Sequence, residues 1–181
     1  MNKKIKLSLS RGLFNKKYLP LLDCDARYLV LYGGAGSGKS VFTVQRFLLR
    51  LLSEKGRNLL VVRAVSNTNR DSTFAAFKQT ISSWGLYELF RVNESDMRIR
   101  AANGNSVIFK GLDDSEKLKS ITFENGILTD IWVEEASEIS QADFNQLDIR
   151  LRGKGPKKQI VVTFNPTDIN HWLKKRFVDP F

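Results

Sequence analysis

Gly33-Gly34-Ala35-Gly36-Ser37-Gly38-Lys39-Ser40 fits the phosphate-loop spacing G-x-x-x-x-G-K-[ST], with Gly33, Gly38, Lys39 and Ser40 on its fixed positions. Immediately before it stands Tyr28-Leu-Val-Leu-Tyr32, a short apolar run rich in β-favouring residues. Immediately after it, Val41 to Leu52 repeats apolar residues at helical spacing. Strand, glycine loop and helix are the context that gives the motif its meaning. The glycines let the backbone turn so that successive N–H groups face one concavity, and the helix adds its free N–H groups and partial positive charge there. Gly33, Gly34, Ala35, Gly36, Ser37, Gly38, Lys39, Ser40 and Val41 are therefore the expected phosphate-binding residues. Lys39 is placed to reach the outer phosphates of ATP, and the Ser40 hydroxyl to ligate Mg²⁺.

Outward from the loop, buried strands alternate with helices. Asn58-Leu-Leu-Val-Val-Arg63 is a continuous apolar run, and Ile127 to Val133 and Gln159-Ile-Val-Val-Thr-Phe164 read as further buried, largely apolar strands. Strands covered on both faces read this way, whereas half-exposed strands alternate. Helices are expected over 39–55, 69–83, 140–150 and 170–177, with a short one over 113–120. Asn103-Gly104-Asn105 between Met97–Ala101 and Ser106–Phe109 reads as a β-hairpin turn. The expected fold class is α/β: a mainly parallel central sheet flanked by helices, with an inserted β-hairpin. In such sheets ligands gather beyond the carboxyl ends of the strands. Those ends carry the phosphate loop, Arg63, Glu134-Glu135, and Thr163 with Asn165.

At a strand end, Ile131-Trp-Val-Glu-Glu135 supplies the carboxylates that a phosphate loop requires. Glu134 is assigned to the metal shell beside Ser40, and Glu135 to polarising the water that attacks the γ-phosphorus. Asn165, in Thr163-Phe-Asn-Pro166, is placed to contact the γ-phosphate and report its presence. Trp132, His171 and Trp172 read as core or helix residues.

The 181 residues suit one domain, and the net charge of +10 favours a polyanionic partner. Basic residues crowd both ends, from Lys3 to Lys17 and from Arg150 to Arg176, and with Arg63 and Arg70 they are the expected DNA-contacting groups. Cys24 is the only cysteine, so no internal disulfide is possible. No apolar run approaches the roughly 20 residues of a membrane span, and no secretory signal is evident. From these residues alone a helicase or other nucleic-acid-dependent ATPase, or a module that only binds nucleotide, stays open.

Taken together, GGAGSGKS at 33–40, VVRAVSNTNRDS at 61–72, FKGLDDSEKLKS at 109–120, IWVEEASE at 131–138, LDIRLRG at 147–153 and TFNP at 163–166 resemble the N-terminal ATPase domain of the large terminase subunit of tailed bacteriophages, of the PBSX-like type. The resemblance implies an ATP-driven motor that moves double-stranded DNA into an empty capsid. It implies a P-loop sheet of the ASCE type, with the TFNP strand between the phosphate-loop strand and the acid-pair strand. Lys39 and Ser40 match the Walker A residues, Glu134 the Walker B acid, Glu135 the catalytic glutamate, and Thr163 to Pro166 the coupling motif. Implied partners are duplex DNA, a small terminase subunit, a portal protein and further copies in a ring, in the host cytoplasm at the procapsid portal. Many relatives have arginine where this chain has Ala35, so an arginine acting on the γ-phosphate is sought elsewhere, with Arg150 and Arg152 as candidates. The expected organisation is a basic lead-in over 1–27 and an ATPase domain over 28–181, with no C-terminal nuclease domain in this chain.

Overall fold

The structure, a computed structural model, describes residues 8–113, 118, 121–166 and 168–179. Its strands are β1 (Tyr28–Tyr32), β2 (Asn58–Arg63), β3 (Phe90–Asn93), β4 (Arg98–Ala101), β5 (Ser106–Gly111), β6 (Asp130–Val133) and β7 (Gln159–Phe164). The helices are α1 (Lys39–Ser53), α2 (Ser66–Asn69), α3 (Ala75–Ser83), α4 (Gln141–Arg150) and α5 (Trp172–Phe177). The short polar helix expected over 113–120 falls largely outside the described residues.

Among the described residues one sheet runs β1-β7-β6-β2-β5-β4-β3. β1, β7, β6, β2 and β5 run parallel to one another, and β4 and β3 extend the sheet antiparallel. The TFNP strand β7 lies between β1 and β6, as the resemblance implies. β2 shows why the sequence reads as unbroken apolar. Leu59 and Val61 pack with α1 and α3 residues such as Phe47, Leu48, Phe77 and Ile81, while Leu60 and Val62 pack on the opposite face with Phe144, Leu147 and Leu173. Both faces are dry, so period-two alternation has no reason to exist.

The expected hairpin is present, but it is built into the sheet: β5 pairs antiparallel with β4 and parallel with β2. At its turn Gly104 adopts φ 92°, a left-handed conformation that glycine enters without strain. β3 leaves no clear pattern in the sequence, because Arg91, Val92 and Asn93 are exposed at the sheet's edge and only Phe90 reaches the core. The second helix starts earlier than its periodicity predicts. Between α2 and α3 the chain passes through a π-helical turn, Arg70–Phe74. Buried Asn69 explains the early start, since its Nδ2 donates to the Lys110 carbonyl at the end of β5 at 2.8 Å. A buried amide needs such a partner, and the polar face it creates hides the helical stripe.

The described part of the lead-in packs on α1. Arg46, fully buried, donates through Nε to the Leu21 carbonyl at 3.1 Å, and Gln45 donates to the Leu13 carbonyl at 2.9 Å. Burial holds the Arg46 guanidinium down at about 10, below its ordinary value. Among the described residues no helix is long and apolar enough to cross a membrane.

Candidate active site

The loop between β1 and α1 is shaped by positions that only glycine fits comfortably. Gly36 has φ 71°, and Gly38, the N-cap of α1, has φ 85°. α1 therefore begins at Lys39 with its N-terminus facing the loop. The Lys39 ammonium, though 8% exposed, has ample partners: Nζ donates to the carbonyls of Gly33 at 2.8 Å and Gly34 at 3.0 Å, to Ser37 Oγ at 3.1 Å and to Asn165 Oδ1 at 3.0 Å. An ammonium has three protons, so these four acceptors share them, and phosphate oxygens can replace them without leaving the charge bare. Tyr18 from the lead-in steadies the loop from outside, its hydroxyl donating to the Ser37 carbonyl at 3.1 Å and its ring stacking on Phe42 at 4.8 Å.

The acid pair arrives from β6. Ser40 Oγ donates to Glu134 Oε1 at 2.6 Å, joining residues 94 positions apart. Glu134 Oε2 accepts from the hydroxyl of Thr163 on β7, and that hydroxyl in turn accepts from the buried indole N–H of Trp132 at 2.8 Å. Trp132 is thus core, as expected, and also aims Thr163 at the carboxylate. Burial pushes the Glu134 carboxyl up, the Ser40 and Thr163 hydroxyls pull it down, Glu135 pushes it up and Arg63 pulls it down, leaving it above the ordinary carboxylate value.

Glu135 follows at φ 52° and ψ 51°, a left-handed conformation that costs a non-glycine residue about 1–2 kcal/mol. It opens the 3₁₀ turn Ala136–Glu138 and leaves the sheet plane. Ala35, Lys39, Ser40, Glu134, Glu135 and Asn165 line one cavity of about 270 Å³, with Val41 at its rim. The strand order accounts for this convergence: β1, β7 and β6 are adjacent, so the loop, Asn165 and the acid pair leave the same edge.

Arg150 and Arg152 are not brought to this edge. α4 starts beyond the end of β6 and runs back, so its last turn lies beside Arg27 at the beginning of β1, about 15–20 Å away by strand length. Exposed Arg152 lies 4.0 Å from Asp148 there. Arg63 faces inward rather than outward: Nη1 donates to Ser72 Oγ at 3.1 Å and Nη2 lies 3.6 Å from Glu138. Arg70 is exposed and donates to the Glu94 carbonyl. Tyr18, His171 and Trp172 touch the loop or the acid turn, although their spacing in the sequence gives no sign of it.

A profile of the family described as "Phage terminase large subunit" matches residues 25–181. The chain belongs to the phage terminase large subunit family. It is 40% identical over 157 residues to the PBSX phage terminase large subunit of Bacillus subtilis (strain 168), covering 87% of this chain and 35% of that protein. It thus spans about a third of the length of that curated relative. Among solved structures, the large terminase from a thermophilic bacteriophage in complex with ADP superposes with a TM-score of 0.74 at 19% identity, over 93% of this chain and 43% of that one. The N-terminal domain of the DNA packaging ATPase from bacteriophage phi29 gives 0.68 at 15% identity, over 92% of this chain and 86% of that one. The fold is that of the ATPase domains of large terminases.

Proposed function

We propose that this chain is the ATP-hydrolysing motor domain of a viral DNA-packaging terminase, driving double-stranded DNA into a procapsid. The observation that carries this reading is the 2.6 Å hydrogen bond from Ser40 to Glu134, which joins the phosphate loop to the acid pair. A hydroxyl and a carboxylate are hard oxygen ligands, the kind Mg²⁺ takes alongside water and phosphate oxygens. Ser40 and Glu134 would hold that ion, which supplies neutralisation of charge on the β- and γ-phosphates.

The chain's own groups do the rest. Loop N–H groups and Lys39 bind the phosphates, Lys39 exchanging its loop carbonyls for phosphate oxygens. Glu135 accepts a hydrogen bond from a water molecule and orients it towards the γ-phosphorus. The water oxygen bonds to phosphorus, the bond to the ADP oxygen breaks, and the proton leaves through Glu135. Asn165, within reach of Lys39, senses whether the γ-phosphate is present. Residues 28–181 form this domain and the lead-in clamps its loop. By the family's nature the working form is a ring on the portal in the host cytoplasm, alongside a small subunit. The test is steady-state ATP turnover with and without duplex DNA, repeated on Glu135→Gln. Turnover that rises with DNA and collapses in the variant is expected. No turnover in either condition overturns the reading.

A further inference from the structure

Within the acid turn the Glu138 N–H donates to the Glu135 carbonyl at 2.9 Å and the Ile139 N–H to the Ala136 carbonyl at 3.3 Å. A glutamate at φ 52° persists only where surrounding contacts over-determine the backbone. Three side chains from elsewhere in the fold supply such contacts, and two of them are neighbours in sequence. His171 caps α5: its Nδ1 accepts from the Leu173 N–H at 3.3 Å. That contact demands the tautomer with the proton on Nε2, and Nε2 lies 3.1 Å from the Ser137 carbonyl, so it donates there. The Trp172 indole N–H donates to the Ile139 carbonyl at 2.9 Å. Both partners are main-chain carbonyls of the turn that begins at Glu135, so what these bonds define is the path of the backbone.

The donors are themselves held firmly. The Trp172 ring lies 5.2 Å from that of Phe144, which is fully buried, and the next residue, Leu173, is 1% exposed. On the far side of the turn Arg63 reaches Glu138 from the end of β2, and Ala136 is fully buried beneath it. α5 is also the element that follows Asn165-Pro166 at the end of β7, and Asn165 Oδ1 accepts from Lys39 Nζ. Beside this contact Ser137 and His171 both line a second cavity of about 260 Å³, and Phe164 and Asn165 line both it and the nucleotide cavity.

We propose that His171 and Trp172 are positioning residues for Glu135, fixing the backbone from Ser137 to Ile139 and linking its placement to the Lys39–Asn165 contact. The inference rests on the reading that Glu135 serves ATP hydrolysis. Neither side chain lines the nucleotide cavity. Their effect is to keep the carboxylate where the attacking water needs it, and misplacement of a catalytic group by about 1 Å costs on the order of a hundredfold in rate.

The experiment uses Trp172→Phe, which keeps an aromatic ring among Phe144 and Phe177 but loses the N–H, together with His171→Ala and His171→Gln. Three quantities are measured: kcat, KM for ATP, and exchange of the 135–139 backbone amides with deuterium. Trp172→Phe and His171→Ala are expected to lower kcat about ten- to a hundredfold with KM within about twofold, and to speed exchange in the turn. His171→Gln, which retains an N–H donor at that reach, is expected to recover most of the loss. Wild-type kcat in both variants, or equal losses of nucleotide affinity and rate, overturns the proposal. If a variant is too unstable to assay, unchanged exchange at 135–139 in Trp172→Phe overturns it independently. A wild-type chain without turnover defeats the reading of Glu135, while the exchange data still decide whether these side chains anchor the turn.

Discussion

Lys39 and Asn165 stand 126 residues apart in sequence and meet at 3.0 Å, ammonium to side-chain carbonyl. The contact ties the phosphate loop to the end of β7, and phosphate oxygens compete for the same ammonium. Replacing Lys39 with Ala is expected to abolish nucleotide binding and turnover while the circular dichroism spectrum stays that of the wild type. Its acceptors are two loop carbonyls, the Ser37 hydroxyl and the Asn165 side-chain carbonyl, all of which water can satisfy. Wild-type-like turnover in that variant defeats the nucleotide-site assignment.

Glu135→Gln keeps the shape and the half-buried position but removes the acceptor for the water's proton. The variant is expected to bind ATP with Mg²⁺ as the wild type does and to hydrolyse it about a hundredfold more slowly or worse. Loss of binding instead would show that Glu134 and Glu135 have exchanged roles.

The +10 charge predicts sequence-independent duplex binding through phosphate contacts. Log affinity should then fall linearly with log salt concentration. Arg63 is held inward by Ser72 and Glu138, so Arg63→Gln should leave the salt slope unchanged, whereas neutralising exposed basic residues should flatten it. Salt-independent affinity counts against the DNA interface.

Asp148 near the C-terminal end of α4 supplies a pH prediction. Burial pushes its carboxyl up, but hydrogen bonds from Arg27 and Tyr28 and the charges of Arg27 and Arg176 outweigh burial, so it lies below the ordinary 3.8. A carboxyl depressed in the folded state adds stability that is fully present above 3.8 and is lost as pH falls through the lower folded value. Asp148→Asn should cost about 1–3 kcal/mol at neutral pH. The gap in Tm between wild type and variant should narrow below pH 3.8. A gap that does not change with pH would remove the ion pair from the account.

With Arg152 at the opposite end of the sheet from the loop, any service to a γ-phosphate must be given to a neighbouring subunit. Dilute Arg152→Ala should turn over ATP as dilute wild type does. At high concentration the wild-type rate per molecule should rise, and the variant's should not. Mixing Arg152→Ala with Glu135→Gln should restore activity, because one brings the acid pair and the other the arginine. A mixture no more active than its parts, together with an unchanged Arg152→Ala rate at every concentration, rules the arginine out.

Short-range physics made much of this chain legible in its sequence. Glycine spacing around Lys39 dictates a tight anion-binding turn, unbroken apolar runs dictate strands buried on both faces, and acids directly after such a strand must emerge at its end. Those rules act within a few residues, so strands β1, β2, β6 and β7 and the loop could be read directly. The tertiary structure alone decided what lay far apart. Strand order made Ser40 and Glu134 partners, and a single indole N–H aimed Thr163 at that carboxylate. The reversal of α4 carried Arg150 and Arg152, the candidates that the family resemblance offered for the γ-phosphate, to the far end of the sheet from this chain's own loop. His171 and Trp172 read as ordinary helix residues, because a hydrogen bond to a distant main-chain carbonyl leaves no periodicity and asks nothing of the residue type at the other end. Only the packing of α5 against the acid turn gives those two side chains a role beside Glu135.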